Sequence, residues 1–157
     1  MREKDGAQRK RNPAAAFLEM AILFGAPVLF HFLLPLTQVV HGLWRLAGIA
    51  LMVLGLWLTG SGSREFRKAK TGFQLRDGGA ALVTSGPFRF SRNPIYLGML
   101  AWLLGLAVLL GSLVSFIFPV LTFLLANFVL IPPEEKKLQE IYGDEFRNYR
   151  QTVRRWL

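Results

Sequence analysis

Four apolar blocks, at residues 14–36, 43–60, 96–111 and 113–131, limit what this chain can fold into. At about 1.5 Å of rise per residue, each block wound as a helix reaches roughly 24–35 Å. That is enough for a hydrocarbon layer of about 30 Å with modest tilt or thinning. Such blocks read as membrane helices rather than as the interior of a soluble domain. The third is the shortest, and a hairpin with the fourth supports it. Pro27 and Pro35 are expected to kink or end the first helix, and Pro119 to kink the fourth. The first block is long and lacks a small-residue cleavage site, so it is expected to be retained rather than removed as a signal peptide. A length of 157 residues suggests one unit: a basic tail over residues 1–13 and a single membrane domain over residues 14–157.

The cations sort themselves around these blocks. Arg2, Lys4, Arg9, Lys10 and Arg11 precede the first block, and Arg64, Arg67, Lys68, Lys70, Arg76, Arg89 and Arg92 separate the second from the third. Lys136, Lys137, Arg147, Arg150, Arg154 and Arg155 follow the fourth, and Arg45 alone lies near an opposite end. The positive-inside rule then places both termini and the middle loop in the cytoplasm, in a bacterial or archaeal cell membrane. The net charge of +9 is accounted for by topology and contact with anionic membrane lipids. Divided among membrane-flanking segments, it does not make a nucleic-acid surface. With no cysteine, disulfides, thiolate nucleophiles and cysteine-ligated metals are excluded, and His31 and His41 have no partners at metal-ligand spacing.

Turn chemistry organises the connections. Gly60-Ser61-Gly62-Ser63 is expected to break the second helix, with residues 64–70 forming a short amphipathic surface helix and residues 71–79 a loop. Residues 80–84 read as a short extended segment. Gly86-Pro87 and Asn93-Pro94 force turns, because proline disfavours helix at the residue before it, and Pro94 suits the first position of the third helix. Gly111-Ser112 makes a tight turn into the fourth. After Pro132-Pro133 a new helix is expected, with Glu134 and Glu135 in its first turn and Gly143 ending it after Tyr142. Phe146, Tyr149, Val153 and Trp156 recur at helical spacing between arginines, which predicts an amphipathic helix lying in the membrane interface. Tyr142, Tyr149 and Trp156 are read as interface-belt residues. The expected fold is an all-α integral membrane protein: about four transmembrane helices, a cytoplasmic cofactor-binding turn and C-terminal interfacial helices.

The basic turn at residues 82–98 and the carboxylates of Glu134 and Glu135 fall at one membrane edge. Together they suit a zwitterionic or cationic cofactor. Four segments carry a resemblance: Leu82-Val83-Thr84-Ser85-Gly86-Pro87-Phe88, Arg92-Asn93-Pro94-Ile95-Tyr96-Leu97-Gly98, Glu134-Glu135 with Leu138, and Tyr142-Gly143-Asp144-Glu145-Phe146. In this order around a membrane hairpin they resemble the isoprenylcysteine carboxyl methyltransferase family, whose wider relatives include phospholipid N-methyltransferases. The resemblance runs from about residue 73 to the C-terminus. It implies a methyltransferase that binds S-adenosyl-L-methionine at the cytoplasmic face and takes a lipophilic or lipid acceptor from the bilayer.

The side chains suit that cofactor chemically. Arg92 and turn N–H groups can meet its carboxylate, and Glu134 and Glu135 can accept from its ammonium or ribose diol. Tyr96 and Phe88 can line the adenine or the sulfonium. By family analogy Ala80, Ala81, Leu82 and Val83, together with Gln74, touch the cofactor, and Asn93, Pro94 and Ile95 complete its turn. Glu19, about 8 Å beyond the start of the first block, is expected to face the substrate or to pair with a cytoplasmic cation. No side chain presents itself as a base, so no catalytic residue is assigned.

Two departures stand out. The family's turn usually carries a histidine where this chain has Asn93, which cannot shuttle a proton. Its carboxyl-methylating members tend to carry an arginine a turn before the Glu pair, whereas residues 125–131 contain no cation. A buried carboxylate acceptor without a cation is costly, so a prenylcysteine carboxylate is not the expected acceptor. Phospholipid N-methylation and a non-catalytic membrane scaffold are the alternatives. No G-x-G-x-x-G in a βαβ setting is present, so the cofactor is expected between the hairpin and the C-terminal segment.

Overall fold

The computed structural model describes residues 13–34, 37–69 and 81–157. Six helices carry the chain through these residues: α1 (Pro13–Leu33), α2 (Leu46–Lys68), α3 (Pro94–Leu110), α4 (Ile117–Leu125), α5 (Ile131–Tyr142) and α6 (Asp144–Thr152). Among the described residues, β pairing is confined to a single bridge between Gln38 and Ser112. Pro27 stands inside α1 without ending it. Two continuous helical runs, Gly42–Lys68 of 27 residues and Leu113–Tyr142 of 30, are long and apolar enough to cross a membrane; Ala21–Leu33 and Pro94–Leu110 are shorter apolar helices.

Two expected breaks do not occur. α2 continues through Gly60–Ser63 to Lys68, so residues 64–68 extend it instead of forming a separate surface helix. Its serines bond back within the helix, Ser61 Oγ donating to the Leu58 carbonyl (3.0 Å) and Ser63 Oγ to that of Thr59 (2.8 Å). Gly62 is needed for packing: a Cβ there would lie 2.8 Å from Ile95 Cγ1. Tertiary contact thus outweighs the weak helix propensity of glycine and serine. Nor does a helix restart after Pro132-Pro133. A π-helical stretch, Ala126–Leu130, leads from α4 directly into α5, with the prolines in the first turn of α5. A local register change of this kind accommodates missing N–H donors and proline rings without ending the helix.

α3 packs most closely on α2 rather than on α4. Gly48, Gly55 and Gly62 recur every seven residues on α2; the first two face Gly105 and Gly98 on the antiparallel α3, and Gly62 faces Pro94 and Ile95. A Cβ on Gly55 would lie 2.5 Å from the Gly98 carbonyl oxygen, and one on Gly105 would lie 2.5 Å from that of Gly48. Backbone meets backbone along this seam, as small residues permit in membrane helix pairs. At one end of the pair, Gly111 ends α3 at φ +70°. Val39 N–H donates to the Gly111 carbonyl (2.8 Å), and the Arg45 guanidinium donates to the Leu110 carbonyl and to Gln38 Oε1 (2.9 Å for the latter). Arg45 therefore caps the C-terminus of α3, where a cation is favoured.

Large apolar side chains including Phe32, Leu43, Trp44, Val53, Leu56 and Trp57 are exposed along the helices, the pattern of a lipid-facing surface. The opposite end from Gly111 holds a compact cluster of Val83, Phe88, Phe146 and Tyr149, ringed by Phe66, Ala69, Leu82, Leu138, Tyr142 and Val153. α6 contributes its apolar face to this cluster, with Phe146 only 1% exposed. The apolar face of this amphipathic helix thus packs on the protein.

Candidate functional site

Segment 81–93 is held against α2, α5 and α6 from several sides. Glu65 near the end of α2 accepts from Ser85 Oγ (2.5 Å) and from Lys68 Nζ (2.6 Å). Gly86, at φ +60°, lets the chain pass that carboxylate: a Cβ would lie 2.9 Å from Glu65 Cγ. Phe88 inserts between Phe66 and the α6 aromatics, its ring edge-on to Phe66 at 5.2 Å. Tyr149 Oη donates to the Phe88 carbonyl (2.6 Å) and Tyr142 Oη to that of Ala81 (3.4 Å). Burial pushes the Tyr149 phenol well above its usual range, against the opposing charge of Arg92.

Glu134 and Glu135 are neighbours on α5 and so point about 100° apart, as adjacent residues of a 3.6-residue turn must. Glu134 accepts from Tyr96 Oη in the first turn of α3 (2.8 Å). Glu135, its side chain 10% exposed, faces two guanidinium groups. Arg92 Nη1 stands 3.0 Å from Glu135 Oε1, close enough for an ion pair yet outside hydrogen-bond alignment, and Arg92 Nε is buried without a hydrogen-bond partner. Burial pulls the Arg92 pKa down while Glu135 holds it up; an arginine stays cationic through such a shift. The second guanidinium belongs to Arg155, which reaches both carboxylate oxygens, Nη2 to Oε2 at 2.6 Å and Nε to Oε1 at 3.3 Å.

The C-terminal segment also grips the turn by its backbone. Arg92 N–H donates to the Arg154 carbonyl (3.0 Å), while Ser91 Oγ (3.3 Å) and Asn93 Nδ2 (3.1 Å) donate to that of Arg155. Asn93, where the resembling family has histidine, serves here as a hydrogen-bond clamp. Asn127 Oδ1 in the π-helical stretch accepts from Trp156 Nε1 (3.1 Å) and Arg155 Nη1 (3.4 Å). Residues 125–131 do lack a cation in sequence, yet the fold brings one to them from the C-terminus.

The fold therefore brings Arg92 together with Glu135, and Tyr96 together with Glu134. Pro94 and Ile95 are buried against Gly62. Leu82 and Val83 line a shallow, open cleft of about 430 Å³ with Glu65, Lys68, Ala69, Thr84 and Ser85. Phe88 is 6% exposed and lies in the aromatic cluster. Ala81 is held by Tyr142. Gln74 and Ala80 lie outside the described residues, as do the side chain of Glu19 and nearly all of the basic tail. Tyr149 and Trp156, read from sequence as a membrane belt, are ties within the protein. Sequence reasoning passed over Ser91, Asn127 and Arg155 because backbone carbonyls and end-of-chain contacts leave no periodic signal; the one available hint was that a buried Glu135 calls for a paired cation.

A family model described as phospholipid methyltransferase matches residues 43–145, well over half of the chain. Over 120 residues the chain is 27% identical to protein-S-isoprenylcysteine O-methyltransferase of Schizosaccharomyces pombe, a match covering 75% of this chain and 51% of that protein. The chain thus spans about half the length of that relative. It is also 38% identical over 63 residues to an uncharacterized protein of Haemophilus influenzae, covering 40% of this chain and 100% of that one. No solved structure matches the chain.

Proposed function

The chain belongs to the phospholipid methyltransferase family, and from that membership we propose that it moves a methyl group from S-adenosylmethionine to a lipophilic acceptor at the cytoplasmic edge of a membrane. The observation that carries this reading is the pairing of a buried Arg92 with Glu135, and of Tyr96 with the neighbouring Glu134, where the basic turn and the start of α3 meet α5. The donor set fits the cofactor. Arg92, with a buried unpartnered Nε, suits its carboxylate. Glu134, oriented by Tyr96, suits its ammonium or ribose diol, and the backbone of residues 81–83 suits its adenine. When bound, S-adenosylmethionine supplies an electrophilic methyl on a sulfonium.

This chain's own contribution is placement. Arg92 and Glu134 fix the polar ends of the ligand, and the aromatic cluster anchors the segment beside it. The apolar helices exclude water and lead a lipid-borne nucleophile to the site. Holding nucleophile and methyl in line is worth several kcal/mol, up to roughly 7–11 in the best-oriented cases. In this reading all four apolar helices span the membrane, both termini are cytoplasmic, and residues 14–157 act as one domain. Phospholipid N-methylation is the second reading, favoured by the description of the matching family model.

Titration of S-adenosylhomocysteine into the purified full chain tests the proposal. Binding is expected, and Glu134→Ala should weaken it at least tenfold, since a hydrogen bond to a charged group contributes about 1.5–3 kcal/mol. Undiminished binding by a folded Glu134→Ala protein removes Glu134 from the site, and a wild type that does not bind turns the reading toward a scaffold. Methylation of a farnesylcysteine analogue beside an ethanolamine lipid then separates the two acceptor classes.

A further inference from the structure

Beyond Thr152 the chain leaves its helix, Val153 adopting extended geometry at φ −120° and ψ 131°, and runs back across the basic turn. Residues 154–156 then tie two separate pieces together: the Ser91–Asn93 turn through backbone carbonyls, and the continuous helical run of the π-helical stretch and α5 through Asn127 and Glu135. Trp156 also rests on Phe123, with ring centroids 5.2 Å apart.

The two arginines on Glu135 are not equivalent. Arg155 makes a two-point contact that sets the plane of the carboxylate, as fork-shaped guanidinium pairing does. Arg92 meets the same carboxylate at one atom, without hydrogen-bond alignment, and keeps a buried Nε without a partner. One carboxylate between two guanidinium groups leaves an excess positive charge, and the incompletely satisfied member is Arg92. Arg155 orients Glu135; Glu135 in turn holds the head of Arg92.

We propose that Arg155 is a positioning residue for the cofactor site, acting through Glu135 on Arg92, and that residues 153–156 form a strap holding the basic turn in register with α5. This rests on the cofactor reading above, in which Arg92 receives an anionic end of the ligand. Removing Arg155 leaves the Arg92–Glu135 pair in place, so no buried carboxylate is stranded, and its loss is expected to be felt at the site more than in the fold.

The test is S-adenosylhomocysteine affinity, measured with the full chain in detergent alongside thermal unfolding. Arg155→Ala should weaken binding at least tenfold at a temperature where the variant is folded. Arg155→Lys, which returns the charge without the fork, should fall between. In a Glu135→Gln background, Arg155→Ala should add less than twofold, because both changes break the same chain of contacts. Wild-type affinity in folded Arg155→Ala, or losses that multiply across the two positions, would overturn the proposal. Should the alanine variant not fold, wild-type affinity in Arg155→Lys would overturn it equally. A wild type that does not bind the ligand defeats the cofactor reading itself, an outcome distinct from binding that ignores Arg155.

Discussion

Tyr149 shows how one hydroxyl holds the candidate site. Its phenol is buried and donates to the Phe88 carbonyl at 2.6 Å, joining α6 to the turn that precedes α3. Tyr149→Phe leaves that carbonyl without its donor and is expected to cost about 1–3 kcal/mol, read by thermal unfolding. The folded state favours the protonated phenol, its pKa standing above the unfolded value. The stability this provides is complete below the ordinary tyrosine pKa of about 10 and declines as the pH rises beyond it, where the unfolded chain releases the proton first. Wild-type protein should therefore lose stability above that pH more steeply than Tyr149→Phe. Equal alkaline slopes would mean that Tyr149 does not titrate against folding.

At the scale of elements, the glycine seam between α2 and α3 governs how closely the helices approach. Gly55→Ala puts a methyl group 2.5 Å from the Gly98 carbonyl oxygen, so the helices must part. The expected loss is about 1–3 kcal/mol, as for other overpacked interiors. Gly60 lies on the same helix with nothing near its missing Cβ. Gly60→Ala should instead gain roughly 0.5–1 kcal/mol from helix propensity. Unfolding of the two variants in one detergent checks the contrast, and similar behaviour would show that the seam does not set the packing. The seven-residue glycine spacing was present in the sequence, but it carries meaning only when both helices are seen to face each other. Apolar blocks announce helices; they do not say which pairs touch. The same ambiguity explains α6, whose aromatic stripe suits a membrane surface and a protein core equally well.

For the whole molecule, orientation is the testable consequence of charge placement. The chain has no cysteine, so single replacements report cleanly. His41→Cys and Asn148→Cys lie toward opposite ends of the helices, beside the Gly111 turn and on α6 respectively. In right-side-out membranes an impermeant thiol reagent should label the first and not the second; the reverse pattern would place the candidate site in the other compartment. The order of residues along the chain determined a good deal here. Blocked hydropathy dictates helices, because only a helix satisfies its own backbone in a lipid environment. The turn prolines set where α3 begins, and the two glutamates had to face different ways once they shared a helix. What they face was decided by tertiary structure. Gly60–Ser63 and Pro132-Pro133 read locally as helix breaks, yet close packing on α3 and a π-helical register change carry both helices through. Glu135 found its second guanidinium 20 residues further on, where the chain folds back to a turn it follows by about 60 positions. Local propensity weighs only near neighbours, whereas a buried charge draws its partner from wherever the fold delivers one.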